Sequence, residues 1–183
     1  MTAGRGGQGG GQGIDGAWTK VATNLGAFHV ATHGGAIVQT ALPGLPTDEF
    51  LRQLEERFPN VAFNEDARDR ILQAAARQFA EYAKGQRKSF DLPLRLEGTA
   101  FQTRVWSALS EIPFGETRSY QDVARAIGRP GASRAVGQAN HMNPLAPIVP
   151  CHRVVTSSGA LGGYGGGMPL KRTLLEHEGV HLE

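Results

Sequence analysis

The sequence predicts an α+β protein: a small N-terminal antiparallel sheet with helices, followed by a mostly helical C-terminal half that contains a helix-turn-helix. Three observations carry this expectation. Before Leu42, short apolar stretches are broken by a glycine pair, which is the pattern of paired strands. From Asp48 onward, apolar residues recur at helical spacing. Between Ser119 and Asn140, two short helical patterns flank a tight turn of Arg129, Pro130 and Gly131. Two short helices joined in this way are the signature of a helix-turn-helix, although a plain αα-hairpin has the same outline.

Taken in order, residues 1–13 are so rich in glycine that ordering them would cost more entropy than they could recover, so a disordered tail is expected. Residues 14–96 are read as an N-terminal α/β domain and 97–183 as the C-terminal domain. In the first, Phe28-His29-Val30 and Ala36-Ile37-Val38 read as strands of a hairpin turning at Gly34-Gly35. Pro43, Gly44 and Pro46 end that sheet. A helix is expected over 48–58, with Phe50, Leu51, Leu54 and Phe58 on one side. Residues 60–63 read as a further strand. Asn64 is expected to cap a longer helix reaching Lys84, with Gly85 closing it. Residues 90–96 alternate as an edge strand or extended linker.

In the second half, Thr99 and Gln102 have capping-box spacing, and the helix they open stops before Pro113. Ser119 opens a helix over 120–127, closed by Gly128. The next helix runs over 132–140 and ends before Asn143-Pro144. The glycine loop around Tyr164 lacks the Lys-Ser/Thr of a phosphate-binding loop, so it reads as a pocket wall. Pro169 starts the last helix, with Leu170, Leu174 and Leu175 inward and Gly179 at its end. Glu178 lies at that C-terminus, where the helix dipole does not favour a carboxylate, which suggests another reason for its position.

The chain has 183 residues, is 40% hydrophobic and has a formal net charge of +2. No apolar run approaches the ~20 residues of a membrane span, and no signal peptide is visible. With one cysteine, a reducing cytoplasm is expected. Residues 118–153 carry five arginines and only Asp122, a basic stripe that suits nucleic acid but also suits an ordinary solvated face.

The one cysteine, Cys151, stands in NPLAPIVPCHRVV. It has no internal disulfide partner, so it serves packing or chemistry. Lone cysteines are most often small buried hydrophobes, yet His152 and Arg153 beside it would need partners if buried. A metal role lacks the further ligands a zinc set requires, and His29 and His33 do not supply one. Ile148-Val149 and Val154-Val155 read as short strands on either side. On a strand, His152 would face away from Cys151, so a bridging water is more natural than a direct contact. A thiol at its ordinary pKa of about 8.5 is only ~3% ionised at neutral pH, so a neighbour is expected to lower it.

The run RAVGQANHMNPLAPIVPCHRVV, then SSGALGGYGGG, a lysine and LLEHEG, resembles the O6-alkylguanine-DNA alkyltransferase family (methylated-DNA–protein-cysteine methyltransferases), in its bacterial type. The match spans residues 98–179. The resemblance implies repair of O6-alkylguanine, and of O4-alkylthymine, by flipping the base from duplex DNA and moving its alkyl group irreversibly to Cys151. It implies that His152 takes the thiol proton through a water, that Glu178 orients His152, and that Tyr120 bears on the phosphate and the departing base. Arg134 would fill the space the base leaves. Ser119, Ala135 and Gly137 would meet DNA in the minor groove. Asn143, Val154, Gly162, Tyr164 and Gly165 would shape the pocket. No cofactor and no metal is implied, and the protein would act as a monomer, with cooperative assembly on DNA an open option. Taken singly, Tyr120 is also a plain packed residue, Arg134 a phosphate contact and Asn143 a helix stop. Asn140 and His141 depart from the apolar and basic residues of some members, and Gly165 from a polar residue of the animal proteins.

Two rivals remain on sequence grounds. One is a non-enzymatic lesion-binding module, against which the intact thiol argues. The other is a thiol hydrolase, against which the adjacency of Cys151 and His152 argues.

Overall fold

The computed structural model describes residues 15–181; the glycine tail lies outside the described residues. The N-terminal half is a four-stranded sheet in the order β3-β2-β1-β4. Strands β1 (Gly16–Thr23), β2 (Gly26–His33) and β3 (Ala36–Ala41) run antiparallel. The glycine pair turns β2 into β3, Gly34 and Gly35 both having positive φ. A second hairpin, β1 to β2, turns at Asn24-Leu25, where the sequence shows no glycine pair.

The expected fold class holds, with one refinement. Strand β4 (Phe63–Glu65) joins β1 in parallel, so the sheet is mixed. It also lies later than residues 60–63. Helix α1 (Thr47–Arg57) packs on one sheet face, where Trp18, Ala31, Val38, Phe50, Leu54 and Phe58 form a cluster. Helix α2 (Arg70–Ala83) covers the other face. Asn64 does not cap α2. It is a β4 residue, and Asp69 caps the helix by accepting from the Leu72 N–H at 2.8 Å. The 90–96 segment is extended and touches the sheet by one bridge, Leu94 to Ile37.

In the C-terminal half, α3 (Ala100–Ser110) opens with the expected Thr99–Gln102 capping box. Helices α4 (Tyr120–Ala126) and α5 (Ser133–His141) form the helix pair. Both pack against α3, and the Trp106 indole donates to the Ala139 carbonyl at 2.8 Å. Strand β5 (Arg118–Ser119) pairs in parallel with β6 (Val154–Val155). Helix α6 (Met168–His177) closes the chain, with Leu174 and Leu175 fully buried.

Ile148 and Val149 are not a strand. Pro147 and Pro150 bracket them, and proline supplies no ladder N–H; the segment turns instead, Val149 N–H donating to the Leu145 carbonyl at 2.9 Å. Residues Cys151–Arg153 form one turn of 3₁₀ helix.

A single apolar cluster runs through both halves. Phe28, Val30, Ile37, Leu72 and Phe79 share it with Trp106, Leu109, Val136 and Val149. Phe79 is fully buried and its ring lies 4.9 Å from that of Phe28 and 5.0 Å from that of Phe90. Phe79→Ala should therefore cost about 3–5 kcal/mol of stability in urea unfolding. A loss under about 1 kcal/mol would mean that this junction is loosely packed.

Candidate active site

The turn Cys151–Arg153 is set by its neighbours in sequence. Pro150 precedes it, and β6 follows immediately. Because β6 pairs with β5, and Ser119 of β5 caps α4, Tyr120 is delivered to the same place as Cys151. The Ser119 hydroxyl is engaged in that cap. It accepts from the Asp122 N–H at 3.0 Å and donates to the Asp122 carboxylate at 2.7 Å.

Three successive side chains of the turn are buried: Cys151 at 4% exposure, His152 at 0% and Arg153 at 7%. The partner of His152 and Arg153 is Glu178, just past α6. The His152 Nε2 lies 2.8 Å from Glu178 Oε1. Arg153 donates through Nε to Oε2 at 2.8 Å and through Nη2 to Oε1 at 3.0 Å. Its Nη1 donates to the Ile112 carbonyl at 2.6 Å. From α2, the Tyr82 hydroxyl donates to Glu178 Oε1 at 2.7 Å. Burial alone would raise the Glu178 pKa. The hydrogen bonds from His152 and Arg153 outweigh it and hold the carboxyl at about 2.

This fixes the histidine tautomer. An ionised carboxylate can only accept, so Nε2 carries the proton. Burial also depresses the His152 pKa, against the pull of Glu178, so the ring is neutral. Nδ1 is then an unprotonated base, buried and without a hydrogen-bond partner among the described residues. A 3₁₀ turn has about three residues per revolution, so His152 is not thrown to the face opposite Cys151 as a strand would require.

The expectation of a lowered thiol pKa does not hold. Burial pushes the Cys151 thiol up, and Asn143, the Lys171 charge and Tyr164 only partly offset it. A neutral imidazole supplies no stabilising charge.

A pocket of about 380 Å³ is lined by Tyr120, Gly137, Asn140, His141, Gly163, Tyr164 and Gly165. Its volume is at the lower end of the roughly 300–1,000 Å³ typical of small-molecule sites. Cys151 is not in its lining but is joined to it through Asn140, which bonds the Cys151 carbonyl. Tyr120 donates to the Gly163 carbonyl at 3.4 Å. Burial, then the nearby thiol, raises the pKa of Tyr120, and the same two causes hold that of Tyr164 well above the ordinary range. Gly162 has φ +65°, and a Cβ there would stand 3.0 Å from the Tyr120 hydroxyl. A Cβ at Gly137 would make only ordinary contact with the Tyr120 ring, at 3.8 Å.

The remaining residues singled out in the sequence take three kinds of place. Asn143 donates to the Val149 carbonyl at 2.8 Å and accepts from the Leu145 N–H at 3.0 Å, tying the end of α5 to the segment before Cys151. Val154 is a core residue outside the pocket lining. Arg134 and Ala135 lie on the exposed side of α5, away from the buried network.

Three participants escaped sequence reading. Tyr82, on the buried side of α2, bonds Glu178. Asn140 donates to the Cys151 carbonyl at 3.2 Å. Lys171 is fully buried, donating to the carbonyls of Val154 and Leu161, and burial lowers its pKa to about 8. It pins the glycine loop to β6. Among the described residues no three His, Cys, Asp or Glu side chains come together as metal ligands, and no helix is long and apolar enough to cross a membrane.

Residues 100–180 match the family model described as 6-O-methylguanine DNA methyltransferase, DNA binding domain. A methylated-DNA–protein-cysteine methyltransferase of Mycobacterium bovis is 45% identical over 154 residues, covering 84% of this chain and 87% of that protein. One from Methanosarcina acetivorans is 53% identical over 111 residues, covering 61% and 71%. The crystal structure of Mycobacterium tuberculosis OGT in complex with DNA superposes with a TM-score of 0.75 at 41% identity, covering 88% of this chain and 92% of that one.

The carboxylate network predicts acid sensitivity. The Glu178 pKa is lower folded than unfolded, so its contribution is complete above pH 4.5 and is lost as pH falls toward 2. That loss amounts to about 3 kcal/mol. His152, also depressed, adds to it in the same direction below pH 6.5. Urea unfolding across this range should show the decline, and Glu178→Gln should flatten its lower limb; an unchanged limb would place the titration elsewhere.

Proposed function

This chain belongs to the methylated-DNA–protein-cysteine methyltransferase family, and we propose that it repairs DNA by accepting the alkyl group of O6-alkylguanine, and of O4-alkylthymine, on Cys151 in a single turnover. One observation carries this most directly. The sole cysteine is tied through its carbonyl to Asn140, a lining residue of a base-sized pocket beside an exposed helix pair, and the next residue carries an unprotonated imidazole nitrogen.

The chemistry follows from the geometry. Sγ of Cys151 attacks the alkyl carbon as the carbon–oxygen bond of the base breaks. The thiol proton passes through a bridging water to His152 Nδ1. Glu178, already ionised, stabilises the imidazolium that forms. Tyr120 donates a hydrogen bond to the departing base, which takes up one proton and ends as ordinary guanine. Its high pKa keeps that hydroxyl protonated at neutral pH. The product is a thioether, which offers no good leaving group, so each molecule acts once. The raised thiol pKa suits a protein that must keep its one sulfur unreacted until a base arrives.

The partner is duplex DNA. Helix α5 would lie in the minor groove, where readout is degenerate and repair tolerates sequence. Arg134 and Ala135 are on its exposed side, and Arg134 is long enough to occupy the gap of a flipped base. The protein would act in the cytoplasm as a monomer, and its assembly along DNA is a separate property.

A duplex with an isotopically labelled O6-methyl group should leave its label on Cys151 alone, as read by peptide mass spectrometry. Label on another residue would refute the assignment. Cys151→Ala should abolish transfer and retain DNA binding. Arg134→Ala should slow repair of a paired lesion by roughly tenfold or more, and by less when the lesion sits in an unpaired bulge, since extrusion costs least there. Equal slowing on both substrates would make Arg134 a simple phosphate contact.

A further inference from the structure

We propose that Asn140 reads the base: its side-chain oxygen accepts a hydrogen bond from the exocyclic amino group of the alkylguanine that enters the pocket. This rests on the function proposed above and specifies which edge of the base is recognised.

Asn140 is 5% exposed and lines the pocket with Tyr120 and Tyr164. Its amide nitrogen donates to the Cys151 carbonyl at 3.2 Å. That carbonyl can only accept, so the amide cannot be turned the other way round. Oδ1 is thereby left as a buried acceptor with no hydrogen-bond partner among the described residues. Such atoms are rare and costly in native proteins. The bond to the Cys151 carbonyl accounts for the amide nitrogen and leaves the buried oxygen without a structural role.

The chemistry of the base narrows what can meet it. On O6-alkylguanine, N1, N3, N7 and the alkylated oxygen are acceptors, and N9 is bonded to the sugar. The 2-amino group is the only N–H donor. An acceptor in the wall is matched by that group and by nothing else on the ring. A site built around such a pairing disfavours a base that lacks it, because its own buried group is then left unpaired, so O4-alkylthymine, which has no amino group, is the slower substrate. The same amide that holds the carbonyl of the nucleophile's own peptide thus couples recognition of the base to the placement of the sulfur.

The test compares two duplexes that differ in one group, O6-methylguanine and O6-methylhypoxanthine, which lacks the 2-amino substituent. Rate constants for methylation of Cys151 are measured under single-turnover conditions. The wild-type protein should prefer O6-methylguanine by about tenfold or more. Asn140→Leu, close in size but without an acceptor, should shrink that preference by roughly tenfold, through slower reaction with the guanine substrate. A wild-type ratio near one overturns the proposal without any variant. An unchanged ratio in the folded variant, or equal slowing on both duplexes, also overturns it and leaves Asn140 as a prop for the Cys151 turn. Should Asn140→Leu fail to fold, Asn140→Met, apolar and flexible enough to fit an irregular wall, carries the same comparison. Absence of methyl on Cys151 from either duplex would instead sink the proposed function itself.

Discussion

The structure depends on one buried carboxylate. Glu178 is 4% exposed and receives hydrogen bonds from His152, Arg153 and Tyr82. These come from the reactive turn and from α2, while Glu178 itself follows α6. A buried ion pair is weak evidence for net stability, but removing one partner costs about 3–5 kcal/mol because the other charge is stranded. The network therefore acts as a specification. With Arg153 neutralising the carboxylate and Tyr82 and the Gly115 N–H filling out its shell, His152 has one available tautomer, and its reactive nitrogen faces away from Glu178.

A second constraint brings the DNA-facing elements to this point. The pairing of β5 with β6 is only two residues on each strand, yet it joins the residue before α4 to the residues after Cys151. Asn143 and Asn140 make two further ties between α5 and the turn, to the carbonyls of Val149 and Cys151. The helix pair and the sulfur are thus held by a short strand pairing and two short asparagine side chains rather than by long flexible ones. The sheet contributes from the other side: Thr40 of β3 donates to the Ala146 carbonyl at 2.7 Å and through its N–H to the Pro144 carbonyl at 2.8 Å.

Much of this was legible in the sequence, for identifiable reasons. Capping boxes and glycine stops are local, so the starts of α3 and α4 and the β2–β3 turn could be read directly. The chemistry-bearing residues were legible because Cys151 is unique and its neighbours are polar in an apolar run. Most of what failed was non-local. Ile148-Val149 looked like a strand by composition, but the flanking prolines and the 3₁₀ turn override propensity. The thiol pKa depends on burial, which no neighbour in sequence reveals. Lys171 could have been found: Lys171, Leu174, Leu175 and Glu178 fall at i, i+3, i+4 and i+7, which places the lysine and the glutamate on the buried stripe of α6. Tyr82 and Asn140 gave no such signal, because their partners are 96 and 11 residues away.

The glycine loop is uneven in what it permits. At Gly162 a Cβ would press on the Tyr120 ring, and Gly166 would press on Leu170 and Leu42, so both are locked by contact. Gly163 and Gly165 line the pocket, yet a Cβ at either would meet nothing within 4 Å. Side chains can be added at these two places without moving the nucleophile, its base or the helix pair. The width of the cleft, and with it the range of bulky adducts a descendant of this protein could clear, is free to drift by ordinary point mutation while the reaction machinery stays fixed.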